Sequence, residues 1–396
     1  MNALRDFVRL DAGNKRYVLF LSAIWLVGYF SAFWRRVGVA ELFVPVTNTV
    51  FLSMLALMCS KTWKNRIRVS DMALYLLLAL VFFLNAIIFP KTANLVENNI
   101  VNVVLATFPY LFFGLIFRGK GYERWIMLFS RCSVILNIVY LLLFSSVDID
   151  PDEEMNMAYV LLPSVLYISW SALEHCKIID LGFCFLGFFV MISLGTRGPF
   201  VCFIFFCSVY LLFFKRYKHS TIVRIFIVVG ALLLYSLSTV FAYLMLGILN
   251  TMGRSTRIFD SMVDGALLDY ENSNGRNEIH ESLLDKLNEN GGGFGLMADR
   301  LEVGYAHNII VELWYAYGYI IGSLVIAIFL FLVLSLFLKS HDRSTKLFVL
   351  LFFTFTFIKL LFSGTFITDG FFFFLIGLCL TGLREAKRDR ICSTYR

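Results

Sequence analysis

Residues 317–338 read YGYIIGSLVIAIFLFLVLSLFL, an apolar run without a charged side chain. An α-helix of about 20 residues crosses the roughly 30 Å of hydrocarbon in a bilayer. The run lacks the alternation of a membrane β-barrel, and a helix satisfies its own backbone polar groups. This stretch therefore predicts a transmembrane helix.

The rest of the chain follows the same pattern. It has 396 residues, is 59% hydrophobic and contains 43 Phe, more apolar surface than a soluble domain of this size can bury. We expect an all-α polytopic membrane protein with about twelve transmembrane helices, forming a single domain over 1–396. The apolar segments are 17–34, 40–60, 72–90, 100–117, 125–146, 157–173, 181–195, 199–214, 225–249, 317–338, 347–363 and 368–383.

The distribution of basic residues predicts the orientation. If the N-terminus is cytoplasmic, the inner segments hold 24 of the 35 Lys and Arg residues, and the short outer loops hold four. Cytoplasmic loops carry such an excess, so both termini are expected inside. The net charge of +7 is thus explained by orientation and does not indicate nucleic-acid binding. The eight cysteines form no CxxC pair, so the sequence supports neither a zinc site nor a disulfide framework.

One long polar interval, 250–308, lies on the predicted outer side. Its five basic residues are outnumbered by ten carboxylates. Helical spacing of apolar residues predicts two amphipathic helices, one at about 256–268 and one that ends at Asn290-Gly291. The run 291–295, GGGFG, lacks the Gly-Lys-Ser/Thr of a nucleotide-binding loop, and we interpret it as a hinge. Chemistry or recognition is expected in this loop.

The stretch Leu194-Gly195-Thr196-Arg197-Gly198-Pro199 precedes the eighth apolar segment. Proline is favoured in the first turn of a helix, and free amides at a helix start form an anion site. Arg197 is therefore a candidate anion ligand. The alternative is an interfacial arginine that extends to lipid headgroups.

Two further candidates belong to the outer loop. Arg276, in Asn274-Gly275-Arg276, has the geometry to bind a phosphate through two hydrogen bonds, or it is a solvated loop arginine. His307 precedes Asn308 and an apolar-rich helix from Ile309, and it suits proton transfer, or it caps that helix. Glu312 in the same helix is a spare acid or base, or an orienting partner.

Together these motifs resemble the superfamily of O-antigen ligases and Wzy-type O-antigen polymerases. The resemblance covers about 190–335. Its elements are Thr196-Arg197-Gly198, Gly275-Arg276 in one large outer loop, the Gly-Phe-Gly run, and Tyr305-Ala306-His307-Asn308 followed by Gly318-Tyr319-Ile320-Ile321-Gly322.

The resemblance implies a metal-independent, inverting glycosyltransferase of GT-C-like fold in the bacterial inner membrane, with the large loop periplasmic and no cofactor. Such an enzyme transfers a glycan from undecaprenyl diphosphate to a sugar hydroxyl. His307, Arg276 and Arg197 would be catalytic, and Arg254, Arg257, Asn308 and Glu312 would bind substrate. The implied partners are the lipid-linked oligosaccharide, membrane lipid, a chain-length regulator and other polysaccharide-assembly proteins.

The acceptor distinguishes the alternatives. A polymerase, which the compact loop and divergent first half favour, extends a lipid-linked repeat unit, whereas a ligase transfers the glycan to lipid A-core. A third hypothesis is a non-enzymatic transporter or flippase for the same lipid-linked sugar. Few ionisable residues fall within the apolar segments, and a transport path would need more of them. Arg131 and Lys359, which do lie there, are expected to pair or to reach the interface.

Overall fold

The computed structural model of the protein describes residues 15–22, 24–26, 67–117, 121–143, 151–194, 197–214, 247, 276–340 and 342–394. Within these ranges all regular structure is helical and no β-strand occurs. The expected all-helical fold is therefore confirmed for the described part of the chain. The predicted segments 40–60 and 225–249 lie outside it, Gly247 excepted.

Residues 15–22 and 24–26 are helical. The later helices are α1 (Val69–Ile88), α2 (Ala93–Ile100), α3 (Tyr110–Ile116), α4 (Glu123–Leu143), α5 (Pro151–His175), α6 (Ile178–Ser193), α7 (Arg197–Val209), α8 (Arg276–Asn290), α9 (Asp299–Glu302), α10 (Ile309–Lys339), α11 (Arg343–Phe353) and α12 (Gly370–Thr394). Helices α2, α7 and α11 continue into the π-helical stretches Val101–Thr107, Tyr210–Phe214 and Thr354–Ile358. Short 3₁₀ turns occupy Pro90–Thr92 and Phe366–Thr368.

Four described helical stretches have the length and composition to cross a membrane. They are Val69–Ile88, Pro90–Ile116, Met155–His175 and Ile309–Lys339, and Ile178–Met191 and Gly198–Phe214 are apolar but shorter. Large apolar side chains remain exposed on them, such as Leu76 of α1 at 61% and Phe331 of α10 at 70%. Such surfaces fit contact with lipid tails, as expected of a membrane protein.

The described residues form two compact units. The first contains the residues up to Ile126 and those from Arg276 onward, and the second begins at Met127 and includes α5, α6 and α7. Each is described by itself.

In the first unit, α3 and α12 pack with their backbones in contact. A Cβ atom on Gly114 would lie 2.0 Å from the carbonyl oxygen of Phe374, and one on Gly377 would lie 2.0 Å from that of Leu111. Small residues allow such close packing between membrane helices. At another point of α12, Arg384 forms a two-pronged ion pair with the buried carboxylate of Asp71 in α1.

In the second unit, α5 packs against α6, and a polar cluster joins them to α4. Arg131 of α4 forms an ion pair with Asp180 of α6, and Ser171 of α5 donates a 2.7 Å hydrogen bond to the same carboxylate. Lys359 of the first unit likewise pairs with Asp369 at 2.6 Å. The sequence predicts that these two basic residues pair or reach the interface, and both form ion pairs.

Candidate functional site

Helix α10 is broken at Gly318. This residue has φ 80° and ψ 165°, a backbone conformation that only glycine adopts readily. A Cβ atom on Gly322 would lie 2.6 Å from the carbonyl oxygen of Leu313, nine positions earlier. Because nine residues of straight helix span about 13 Å, the two arms, 309–317 and 319–339, must fold toward each other. The break lies next to residue 317, where the sequence suggested a change from an apolar-rich helix to the predicted membrane segment 317–338.

The glycine-rich segment fills this break. In a continuous helix, the carbonyl oxygens of Tyr315 and Ala316 would accept hydrogen bonds from residues four positions later. They instead accept 2.9 Å hydrogen bonds from the backbone amides of Phe294 and Gly295. The Phe294 and Tyr315 rings stack with centroids 4.6 Å apart. The segment is therefore attached to α10 directly after it leaves α8.

Asn85, in the last turn of α1, connects this segment to a membrane helix. Its Oδ1 accepts a 2.7 Å hydrogen bond from the amide of Leu296, and its Nδ2 donates to the carbonyl oxygen of the same residue at 3.4 Å. Asn85 is 4% exposed, so these bonds satisfy groups that are otherwise costly to bury. The segment thus lies at the Ile88 end of α1.

Helix α8 confirms the predicted amphipathic helix that ends at Asn290. Leu283 and Leu287 are buried on one face and pack against Ala306, Val311 and Tyr315. This packing brings Arg276, the first residue of α8, toward the chain that enters α10. Nη1 of Arg276 donates a 2.6 Å hydrogen bond to the carbonyl oxygen of Phe362. Arg276 is therefore half-buried and anchored to the described core, and it is not a freely solvated loop arginine.

His307 lies immediately before α10 in a strained conformation. Its φ is 55°, a value that costs a residue with a Cβ atom roughly 1–2 kcal/mol. Asn308 is the cap of α10, because its Oδ1 accepts from the amides of Ile310 at 2.9 Å and Val311 at 3.4 Å. The capping role considered for His307 is thus filled by Asn308.

Ala306, the residue before His307, is hydrogen-bonded through both its carbonyl oxygen and its amide. The carbonyl oxygen of Ala306 lies 2.8 Å from Nε2 of His280 in α8, and its amide donates a 2.8 Å hydrogen bond to Oδ2 of Asp299 in α9. The rings of Tyr305 and His307 are 3.7 Å apart between centroids. The backbone and the imidazole are therefore both fixed by neighbours.

The surroundings of His307 favour its neutral form. Burial of the ring lowers its pKa, and the positive charges of Arg276 and His280 lower it further, to about 4. Its Nδ1 is buried and has no hydrogen-bond partner among the described residues. At neutral pH the imidazole is thus uncharged, and one of its ring nitrogens remains without a hydrogen bond to the described part of the chain.

Asp299 is 2% exposed, and this burial raises the pKa of its carboxyl group. Hydrogen bonds from the backbone amides of Ala306 and Arg300, and the positive charge of Arg300, lower the pKa but do not cancel the effect of burial. The charge of Asp299 also acts on Glu312 in the first arm of α10. The site therefore contains two acidic side chains, Asp299 and Glu312, in addition to Arg276, His280 and His307.

Glu312 fastens α10 to the connection between α11 and α12. It is 4% exposed, accepts a hydrogen bond from the Thr365 hydroxyl through Oε1 and accepts one of 3.2 Å from the Phe366 amide through Oε2. The same connection supplies the Phe362 carbonyl to Arg276. Sequence inspection missed this segment, 359–369, although polar residues between two apolar segments marked it.

Arg197 belongs to the second unit. It is the first residue of α7, and Pro199 lies in the first turn, in agreement with the predicted helix start. A Cβ atom on Gly198 would lie 1.9 Å from the hydroxyl oxygen of Tyr159, so a larger residue there would displace the Tyr159 side chain. Arg254 and Arg257, and the predicted helix at 256–268, lie outside the described residues.

Of the predicted residues, the structure therefore brings Arg276, His307, Asn308 and Glu312 together in one unit. The described ranges contain no group of three or more His, Cys, Asp or Glu side chains arranged to hold a metal ion.

Comparison with known proteins found no similar protein. No family model, no curated protein and no solved structure matches the chain. The function must therefore be argued from the site itself.

Proposed function

We propose that the protein is a polysaccharide polymerase of the bacterial inner membrane. It would transfer an O-antigen or capsule glycan from undecaprenyl diphosphate to a sugar hydroxyl on a second lipid-linked repeat unit. One observation carries the proposal: a guanidinium and a neutral imidazole, Arg276 and His307, lie within electrostatic reach of each other next to an apolar helix of membrane-spanning length.

The departing diphosphate needs a positive charge beside it, and Arg276 would supply that charge. When the bond between the anomeric carbon and the diphosphate oxygen breaks, its electron pair stays on the diphosphate, which gains negative charge. Arg276 would neutralise that charge through hydrogen bonds to the phosphate oxygens. Its Nη1 is already fixed by Phe362, so the guanidinium needs little reorganisation when the charge develops.

The acceptor hydroxyl needs a base that takes its proton, and His307 would be that base. His307 would take the proton of the incoming hydroxyl while that oxygen forms its bond to the anomeric carbon from the face opposite the diphosphate, which inverts the configuration. Its low pKa keeps it unprotonated but makes it a weak base. A diphosphate bound at Arg276 would offset the nearby positive charge and raise the pKa of His307. The base would thus strengthen when the donor is in place.

Other residues have secondary roles in this proposal. Arg197 would be a further anion ligand, as the sequence predicts, and so would Arg254 and Arg257, which lie outside the described residues. The Oδ1 of Asn308 is engaged by the start of α10, which leaves its amide nitrogen for a sugar oxygen. Glu312 would act indirectly, by holding the 359–369 segment that fixes Arg276.

We further propose the full membrane arrangement: about twelve transmembrane helices in a GT-C-like fold, both termini cytoplasmic, and the loop 250–308 in the periplasm. The four described helices of spanning length and the bias of Lys and Arg support it. Alkaline phosphatase, which is active only outside the cytoplasm, should be active when fused after residue 290 and inactive when fused after residue 394. The reverse result would overturn this orientation.

The activity is tested with purified protein and a lipid-linked repeat unit. The polymerase hypothesis predicts longer lipid-linked oligosaccharides without ATP. Transfer of the glycan only to lipid A-core would identify a ligase, and passage of the sugar across vesicles without new bonds would identify a transporter. His307→Ala should reduce transfer to a trace, about 100–10,000-fold below the wild-type rate, while the protein still inserts in the membrane. Wild-type rates in this variant would exclude His307 as the base.

A further inference from the structure

The strained φ of His307 requires a structural cause. A residue with a Cβ atom remains in this conformation only where its surroundings enforce it. On the C-terminal side, the Asn308 cap and the hydrogen bond of 2.9 Å from the Glu312 amide to the Asn308 carbonyl oxygen fix the start of α10. The chain must therefore turn at His307 if the residue before it is also fixed.

Ala306 is fixed by two side chains from different helices. His280 of α8 binds its carbonyl oxygen and Asp299 of α9 binds its amide, each at 2.8 Å. The carbonyl belongs to the peptide plane that joins Ala306 to His307, and the amide belongs to the plane before it. Both planes on the N-terminal side of His307 are therefore oriented by hydrogen bonds from outside the local chain.

The partners of the two backbone groups of Ala306 are side chains and not other backbone groups. Ala306 is 1% exposed, and its two backbone groups need partners, but buried backbone groups are usually paired by other backbone groups. Here a histidine and an acid supply both bonds, and the acid is itself buried at 2% exposure. Both hydrogen bonds act on the residue next to His307, whose Nδ1 has no hydrogen-bond partner in the described ranges.

We propose that His280 and Asp299 are positioning residues that hold His307 in its left-handed conformation by binding the two backbone groups of Ala306. The inference rests on the proposed role of His307 as base. The two residues do not touch the reacting atoms. They set the direction in which the imidazole points, and a displacement of about 1 Å in a catalytic group can reduce a rate about 100-fold.

The substitutions separate hydrogen bonding from packing. His280→Gln keeps an amide nitrogen that can donate to Ala306, and His280→Leu removes the donor. Asp299→Asn keeps an acceptor oxygen, and Asp299→Leu removes it. Asp285→Asn, an exposed change on α8, serves as the matched control. We expect kcat to fall about 10–100-fold in the leucine variants with KM for the donor little changed, substantial recovery in the Gln and Asn variants, and wild-type rates in the control.

Making His280→Leu in the His307→Ala variant distinguishes a positioning role of His280 from a general effect on protein stability. In protein that carries His307→Ala, a positioning residue has nothing left to position, so adding His280→Leu should not reduce the residual rate further. An equal loss in both backgrounds would overturn the proposal, because it would show that His280 acts independently of His307.

A spectroscopic measurement tests the pair of hydrogen bonds from His280 and Asp299 to Ala306, here called the clamp, independently of activity. In protein with ¹⁵N-labelled histidine, the His307 ring resonances should shift in His280→Leu and Asp299→Leu and return toward wild type in His280→Gln and Asp299→Asn. This result supports the clamp even if no transferase activity is found, in which case only the proposed function fails. Unmoved resonances together with unchanged kcat would overturn the clamp.

Discussion

Arg276 donates a hydrogen bond of 2.6 Å to the carbonyl oxygen of Phe362, 86 residues further along the chain. Phe362 lies in the segment 359–369, whose Thr365 and Phe366 bind Glu312 in α10. One connection between two helices therefore holds both the proposed cation and the helix that follows the proposed base. The relative position of Arg276 and His307 depends on this segment.

Replacing Arg276 tests the cation. In Arg276→Gln the departing diphosphate loses its charge partner, so kcat/KM for transfer should fall about 100–1,000-fold. Arg276→Lys should recover only part of the rate, because lysine keeps the charge but not the paired donors. Steady-state kinetics with the lipid-linked donor measure both variants.

Lys286→Gln is the matched control for that experiment. It removes one positive charge from the same helix, but Lys286 is exposed and pairs with Glu302 on the surface. Exposed ion pairs contribute about 0–1 kcal/mol, so activity should remain near wild type. Equal losses in the two variants would indicate a general effect of loop charge and not a diphosphate ligand.

In the proposed mechanism, the pH dependence of kcat/KM reports the protonation of His307 in the free enzyme. Burial and the charges of Arg276 and His280 lower the pKa of His307 to about 4, so the acidic limb should lie near pH 4. Removing a positive neighbour raises this pKa, and the limb should move to higher pH in Arg276→Gln. If the acidic limb of the kcat/KM profile lies near pH 6.5 in the wild type and does not move in Arg276→Gln, His307 is not the base that the profile reports.

The pH dependence of kcat reports the enzyme with donor bound. A diphosphate beside Arg276 offsets the positive charge that lowers the pKa of His307, so the acidic limb of kcat should lie at higher pH than that of kcat/KM. Titration of the His307 resonance with and without inorganic pyrophosphate checks the same shift directly. If the titration curves of His307 with and without pyrophosphate coincide, no anion binds near the imidazole.

Thr365→Val tests the attachment of the 359–369 segment. The hydroxyl of Thr365 binds the buried Glu312 carboxylate, and leaving a buried acceptor short of a donor costs about 1–3 kcal/mol. We expect a lower thermal unfolding midpoint in detergent. Thr368→Val, an exposed change in the same turn, should alter stability by less than about 0.5 kcal/mol.

Gly322→Ala tests the folded-back arms of α10. The added Cβ atom would lie 2.6 Å from the Leu313 carbonyl oxygen, and the resulting strain should destabilise the protein by about 1–3 kcal/mol. Gly292→Ala is the control, because a Cβ atom there meets nothing within 4 Å. Thermal unfolding in detergent compares the two. A tolerated alanine at 322 would mean that the arms do not approach each other closely.

Local patterns predicted much of the fold in the first unit. Apolar spacing identified α8 and its end at Asn290, and the change of composition near residue 317 matched the break at Gly318. These features depend on periodicity and backbone chemistry, which nearby residues determine.

The contacts that assemble the site were beyond such analysis. Asn85 binds Leu296 across 211 positions, and Arg276 binds Phe362 across 86. No local pattern specifies these partners, because they depend on how membrane helices pack. The bonds from His280 and Asp299 to Ala306 were missed for a related reason, since a backbone carbonyl or amide carries no sequence signature.

The most direct test of the central claim combines purified protein, an undecaprenyl diphosphate-linked repeat unit and gel analysis of the lipid-linked products. With wild-type protein and no ATP, we predict a ladder of oligosaccharides that grows by whole repeat units and is reduced to a trace with His307→Ala and strongly reduced with Arg276→Gln. Unchanged repeat units after incubation with folded wild-type protein, or a ladder of equal intensity from all three proteins, would contradict the account.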